Sequence, residues 1–112
     1  MSARTRKSCP ACRGTEKALT KSEAAACRRR VPGWSIVQRK GIRQLERGFR
    51  FRDFAEALAF ANRVGRLAER EFHHPALRVE WGRVTVAWWT HAIRGLRRRD
   101  FVMAAKTDRA YR

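Results

Sequence analysis

Two adjoining stretches decide the fold: Asp53-Phe-Ala-Glu-Ala-Leu-Ala-Phe-Ala-Asn-Arg-Val-Gly-Arg-Leu-Ala68, and then Leu77-Arg-Val-Glu-Trp-Gly-Arg-Val-Thr-Val-Ala-Trp88. In the first, Phe54, Leu58, Ala61, Val64, Leu67 and Ala68 recur at helical spacing and predict one apolar stripe. Asp53 is placed to cap that helix, with Glu56 at its third position, and Pro75 to stop it. In the second stretch the period drops to two. Leu77, Val79 and Trp81 alternate, Gly82-Arg83 suits a two-residue turn with Gly first, and Val84, Val86 and Trp88 alternate on the return strand.

The segments on either side extend the pattern. Thr20-Lys-Ser-Glu23 has the form of a capping box, and Ala24, Ala25 and Ala26 favour a helix that Pro32-Gly33 ends. Residues 34–38 and 44–51 read as two strands around a Lys40-Gly41 turn, with Leu45, Arg47, Phe49 and Phe51 on one face. A last helix covers roughly Arg98 to Arg109, with Phe101, Val102 and Ala105 inward. The order α-β-β-α-β-β-α predicts an α+β domain: a single four-stranded antiparallel sheet with three helices packed on one face. Residues 1–18 form a basic, Cys-containing N-terminal arm, and residues 19–112 form the domain.

With 112 residues, 44% of them hydrophobic, the chain supports one core. No apolar run reaches bilayer length, and the basic start has no apolar segment behind it, so a cytoplasmic location is expected. The 27 Lys and Arg against 10 Asp and Glu give a formal charge of +17. Such a balance favours anionic partners. The arginines are scattered, however, and the aromatics sit at core spacing rather than among them, so a general surface property fits better than a dedicated nucleic-acid face. The Cys9-Pro-Ala-Cys12 pair has only Cys27 to join it, short of the four ligands of a usual zinc site, so a structural or incidental role is expected.

All three histidines lie close together, at His73, His74 and His91. Imidazole exchanges protons near neutral pH, and three imidazoles in one pocket also suggest zinc. Adjacent histidines at a helix end diverge by about 100°, whereas zincin-type sites use i and i+4; a pair alone would read as a helix C-terminal cap. Glu69, four residues before His73, should share its helix face. Asp100, opening the last helix, is near enough to orient an imidazole.

Glu69-x-x-x-His73-His74-Pro75, with Trp81 after five residues, His91 after nine more and Asp100 after eight more, resembles the signature of the pterin-4a-carbinolamine dehydratases. The likeness extends from about Gly33-Trp34 through Asp53-Phe54 and Val84-Thr85-Val86 to Asp100-Phe101. It includes the CxxC head, and Trp81 to His91 looks most like the bacterial branch associated with phenylalanine hydroxylase. The resemblance implies dehydration of 4a-hydroxytetrahydrobiopterin to the quinonoid dihydropterin, recycling the pterin of aromatic amino acid hydroxylases, with no cofactor and no metal. It implies His73 and His91 as proton carriers and His74 as a substrate holder. Glu69 and Asp100 would set tautomer and orientation, Trp81 is a supporting aromatic, and backbone around Phe72 to His74 and Trp89, Thr90, His91 and Ala92 would read the pterin edge. A homo-oligomer, dimer or tetramer, is implied as well. Phe72 stands where some relatives carry Asp, and Arg97 where relatives often start the last helix with Ser or Thr. The alternative is a non-catalytic binding role, in assembly or as a transcriptional cofactor as in some relatives; contact with nucleic acid through the arginines is a second binding reading, which the resemblance does not explain.

Overall fold

A computed structural model describes residues 17–111; the Cys9/Cys12 pair and most of the predicted arm lie outside them. Helix α1 (Lys21–Arg28) is followed by strands β1 (Ser35–Arg39) and β2 (Ile42–Arg50). Helix α2 (Phe54–Glu71), strands β3 (Ala76–Glu80) and β4 (Arg83–Trp88), a 3₁₀ turn (His91–Ile93) and helix α3 (Arg98–Ala110) complete the order. The sheet runs β1-β2-β4-β3, antiparallel throughout, so α2 and β3 intervene between the two central strands.

Local chemistry explains the boundaries. Thr20 and Glu23 exchange side-chain bonds with each other's backbone N–H, a full capping box for α1. At α2, Asp53 Oδ1 accepts from Glu56 N at 2.9 Å, and Glu56 reaches back to Arg52 N. Between β1 and β2, Lys40 and Gly41 both have left-handed φ, 52° and 79°, the type I′ geometry that matches strand twist.

Leu45, Phe49, Val84, Val86 and Trp88 point from the central strands into a core closed by Trp34 and by Phe60 and Val64 of α2. Phe60 meets Phe49 and Phe51 at ring-centroid distances of 4.8 and 5.1 Å. Arg47 shares that inner face at its edge: its guanidinium lies over the Phe49 ring and pairs with Asp108 at 2.7 Å.

The sequence reading needs correction in four places. The α2 stripe that packs on the sheet is Ala57, Phe60, Ala61, Val64, Leu67 and Ala68; Phe54 and Leu58 are 45% and 43% exposed. The helix has two apolar faces, and the sheet takes the one carrying Phe60. In α3 the inward residues are Phe101, Met103, Ala104 and Thr107, while Val102 is exposed and Ala105 half-buried. β3 ends at Glu80, which pairs with Arg83, so the hairpin loop is Trp81-Gly82 with Gly second, at φ 74°. Finally, α2 stops at Glu71, well before Pro75. No helix among the described residues is long and apolar enough to cross a membrane.

Candidate active site

The site is built on the end of α2. Phe72 takes the left-handed conformation, φ 55° and ψ 40°, and the backbone N–H groups of Phe72 and His73 both reach Ala68 O. This is the reversal usually assigned to glycine at a helix C-terminus. Here a phenylalanine makes it, with its ring 85% exposed. The histidine pair therefore lies beyond the helix rather than on its last turn. His73 turns in and is buried; His74 turns out.

The His73 ring meets two elements. Its ring lies parallel to Trp88 of β4, with centroids 5.7 Å apart. Trp88 is held by its own Nε1–H to Thr107 Oγ1 at 3.0 Å. His73 Nε2 sits 2.6 Å from Asp100 Oδ1. Asp100 is fully buried. It is the third residue of α3, where its other oxygen accepts from Arg97 N at 2.9 Å and Thr90 Oγ1 at 2.8 Å. Arg97 has no acceptor to return to the helix, so Asp100 supplies the side-chain half of this cap. Three donors thus converge on this carboxylate at the helix N-terminus. With Asp100 accepting, the His73 proton resides on Nε2, and Nδ1 has no partner among the described residues.

His74 Nε2 pairs with Glu69 Oε2 at 2.7 Å in an exposed setting. The expected Glu69–His73 alignment does not form, because the Phe72 reversal takes His73 off the helix face and brings His74 back toward Glu69. His91 Nε2 lies 3.1 Å from His74 O; a carbonyl only accepts, so this nitrogen carries the proton and Nδ1 points elsewhere. The His91 ring stacks on Trp89 at 4.4 Å with a 6° interplanar angle. The Thr90–Gly95 bridge and left-handed Arg94 close the 3₁₀ turn that carries His91 and Ala92.

The structure thus brings His73, His74, His91, Glu69, Asp100, Trp89 and Thr90 together. Trp81 is not among them. It lies in the β3–β4 loop, 74% exposed, at the opposite end of the hairpin from the Ala76–Ala87 pair that follows the histidines. Thr90, expected to act through its backbone, also donates its hydroxyl to Asp100. Trp88 is the contributor that the sequence reading misses: inward alternation places it toward the helices, but nothing in the spacing ties it to His73. Nor did the sequence reveal how the end of α2 is held. Arg99 donates to Glu71 O, and Lys106 Nζ lies 2.8 Å from Glu71 Oε2. The Lys106 hydrogen bond, with the Lys106, Arg99 and Arg70 charges, lowers the Glu71 carboxyl from its ordinary value against the opposing effect of burial. No three His, Cys, Asp or Glu side chains among the described residues converge as a metal site would require.

Comparison with known proteins agrees with this architecture. The family model described as pterin 4 alpha carbinolamine dehydratase matches residues 17–110. A Gloeobacter violaceus protein named "Putative pterin-4-alpha-carbinolamine dehydratase 1" is 56% identical over 104 residues, 93% of this chain and 90% of that one. The crystal structure of a transcriptional coactivator/pterin dehydratase from Brucella melitensis superposes with a TM-score of 0.76 at 31% identity, over 86% of this chain and all of that one. A pterin dehydratase-like protein described as a RuBisCO assembly factor in the alpha-carboxysome shares the fold alone, with a TM-score of 0.56 at 19% identity, over 69% of this chain and 89% of that one. With nearly the whole domain matched, and with the histidines gathered at the end of α2, the chain belongs to the pterin 4 alpha carbinolamine dehydratase family and is a hydro-lyase.

Proposed function

We propose that this chain removes water from 4a-hydroxytetrahydrobiopterin by histidine acid–base catalysis, returning quinonoid dihydropterin to the cofactor cycle of an aromatic amino acid hydroxylase. The observation that carries this reading is the pairing of two imidazoles whose tautomers are fixed by acceptors, His73 by Asp100 and His91 by the His74 carbonyl. Each presents Nδ1 for proton exchange.

The elimination needs two proton movements. The C4a–O bond breaks and the departing hydroxide takes a proton to leave as water. N5 gives up its proton, and the C4a=N5 double bond forms. His73 suits the base, because the imidazolium it becomes is neutralised by buried Asp100, as in carboxylate-oriented imidazoles elsewhere. His91 suits the acid, because its Nε2–H is held by the His74 carbonyl and its ring is fixed on Trp89, which leaves Nδ1 to deliver a proton. Positioned acid–base groups of this kind are worth about 10² to 10⁴ in rate. His74, exposed and oriented by Glu69, suits a substrate hydrogen bond. Backbone at Phe72, Thr90 and Ala92 is near enough in sequence to these rings to contribute to the pterin edge. The chemistry needs no cofactor and no metal.

The exposed Phe54 and Leu58, one turn apart on α2, support self-association into a homo-oligomer through that face. A hydroxylase partner implies work in the cytoplasm beside it. One structural relative is described as an assembly factor and the other as a transcriptional coactivator as well as a pterin dehydratase; the complete histidine set here favours catalysis. In a reaction containing an aromatic amino acid hydroxylase and tetrahydropterin, adding this protein should suppress the build-up of 4a-carbinolamine. Undiminished accumulation would contradict the reading.

A further inference from the structure

Between α2 and α3 lies an open groove of about 530 Å³, whose lining includes none of the histidines or their hydrogen-bond partners. Its walls carry Arg63, Arg66 and Arg70 from α2 and Lys106 and Arg109 from α3, against one carboxylate, Glu71. The cations repeat at i, i+3 and i+7 on one helix and i, i+3 on the other, so each row sets like charges on neighbouring positions, which destabilises a helix. Internal partners relieve only part of this. Lys106 pairs with Glu71, and Arg63 donates to Ala110 O while lying over Phe60. Arg66 and Arg109 are exposed, and no carboxylate or carbonyl among the described residues takes their protons. Glu71 is already committed to Lys106 and Arg99.

We propose that this groove binds an oligophosphate anion, held by the Arg66 and Arg109 guanidinium groups from opposite walls. Planar guanidinium donors match phosphoryl oxygens two at a time, and opposed rows hold linked phosphates better than a single one. The groove follows α2 for about 10 Å, the rise over the seven residues from Arg63 to Arg70. That length suits a chain of two or three phosphoryl groups rather than the continuous track a duplex would need. The linked phosphates could belong to free polyphosphate or to a nucleotide.

Calorimetric titration of the full chain with inorganic tripolyphosphate, ATP and orthophosphate tests this directly. One site per chain is expected, with tripolyphosphate at least about tenfold tighter than orthophosphate. ATP binding markedly tighter than tripolyphosphate would identify a nucleotide as the source; equal or weaker binding would identify free polyphosphate. The double variant Arg66→Ala/Arg109→Ala should weaken tripolyphosphate by about tenfold or more, with dehydratase turnover unchanged and thermal unfolding no lower than wild type, since it relieves the like-charge rows. Arg29→Ala/Arg30→Ala removes the same charge at the end of α1 and should leave affinity within about threefold. Equal weakening by both pairs would mean diffuse attraction to a +17 surface and would overturn the proposal. So would many sites per chain, or duplex DNA displacing tripolyphosphate from the groove at physiological salt.

Discussion

Asp100 Oδ1 lies 2.6 Å from His73 Nε2, and this one contact joins the start of α3 to the residue just past the end of α2. It is sealed on the remaining sides by Trp88, Thr90 and the Arg97 backbone. The same carboxylate caps a helix and fixes a tautomer, so its loss should be felt in both stability and turnover.

Asp100→Asn keeps the shape but can present an N–H to a ring nitrogen that must donate. Turnover should fall by about 10² or more, mostly in kcat. Leaving buried donors without their anion should also cost about 1–3 kcal/mol of unfolding free energy. Urea unfolding and steady-state kinetics measure the two together. Turnover near wild type would show that Asp100 is only a helix cap.

The histidines should divide the work. His73→Ala and His91→Ala should lower kcat with little change in KM, and His74→Ala should chiefly raise KM. Steady-state kinetics with the carbinolamine generated in situ separates these. A His74→Ala enzyme with lost kcat and unchanged KM would reverse the assignment.

Much of this was legible beforehand, and the failures share a cause. Period-two and helical spacing, with the Thr20–Glu23 capping box, located the three helices and four strands, because a buried face imposes its period on the sequence whatever the fold; the 3₁₀ turn His91–Ile93 has no such face and was not anticipated. The spacing did not decide between two apolar faces of α2: Phe54 and Leu58 fit the helical period as well as Phe60 and Val64, and only the arrival of Phe49 and Phe51 from β2 selects the second. The residues that gather at the end of α2 are the ones the signature spacing names, yet the spacing does not give their pairing. Glu69 meets His74 rather than His73 because Phe72 adopts a left-handed turn that its residue type disfavours. A conformation set by tertiary contacts at a single residue leaves no periodic trace. Trp81 shows the converse: a signature position that lies away from the histidines of its own chain.

That left-handed Phe72 carries a measurable cost. With its ring mostly in solvent, Phe72→Gly removes little buried area and relieves about 1 kcal/mol of backbone strain, less the extra entropy of glycine in the unfolded chain. Thermal unfolding should shift upward by a few degrees. A clear drop in Tm would mean that the ring makes contacts in the assembled protein that outweigh the strain.

Glu71 should make stability depend on acid pH. Its carboxyl is lowered in the folded chain, first by the Lys106 hydrogen bond, so folding favours the ionised form. The contribution is present above the ordinary carboxylate range and disappears as pH falls through the folded value. Glu71→Gln should therefore be less stable than wild type at neutral pH, by under about 1 kcal/mol for so accessible a pair, and equal to it in strong acid. A gap that persists or widens in acid would contradict this sign.

The central claim is that this chain dehydrates a 4a-hydroxytetrahydropterin with its own histidines. The most direct measurement is the decay of 4a-hydroxytetrahydrobiopterin absorbance at neutral pH, followed with purified protein in excess chelator and compared with the His73→Ala/His91→Ala double variant. The account predicts fast, protein-dependent decay for the wild type and a rate near the uncatalysed one for the double variant. Wild-type decay no faster than buffer, decay restored only by added zinc, or a double variant as fast as wild type would each contradict it.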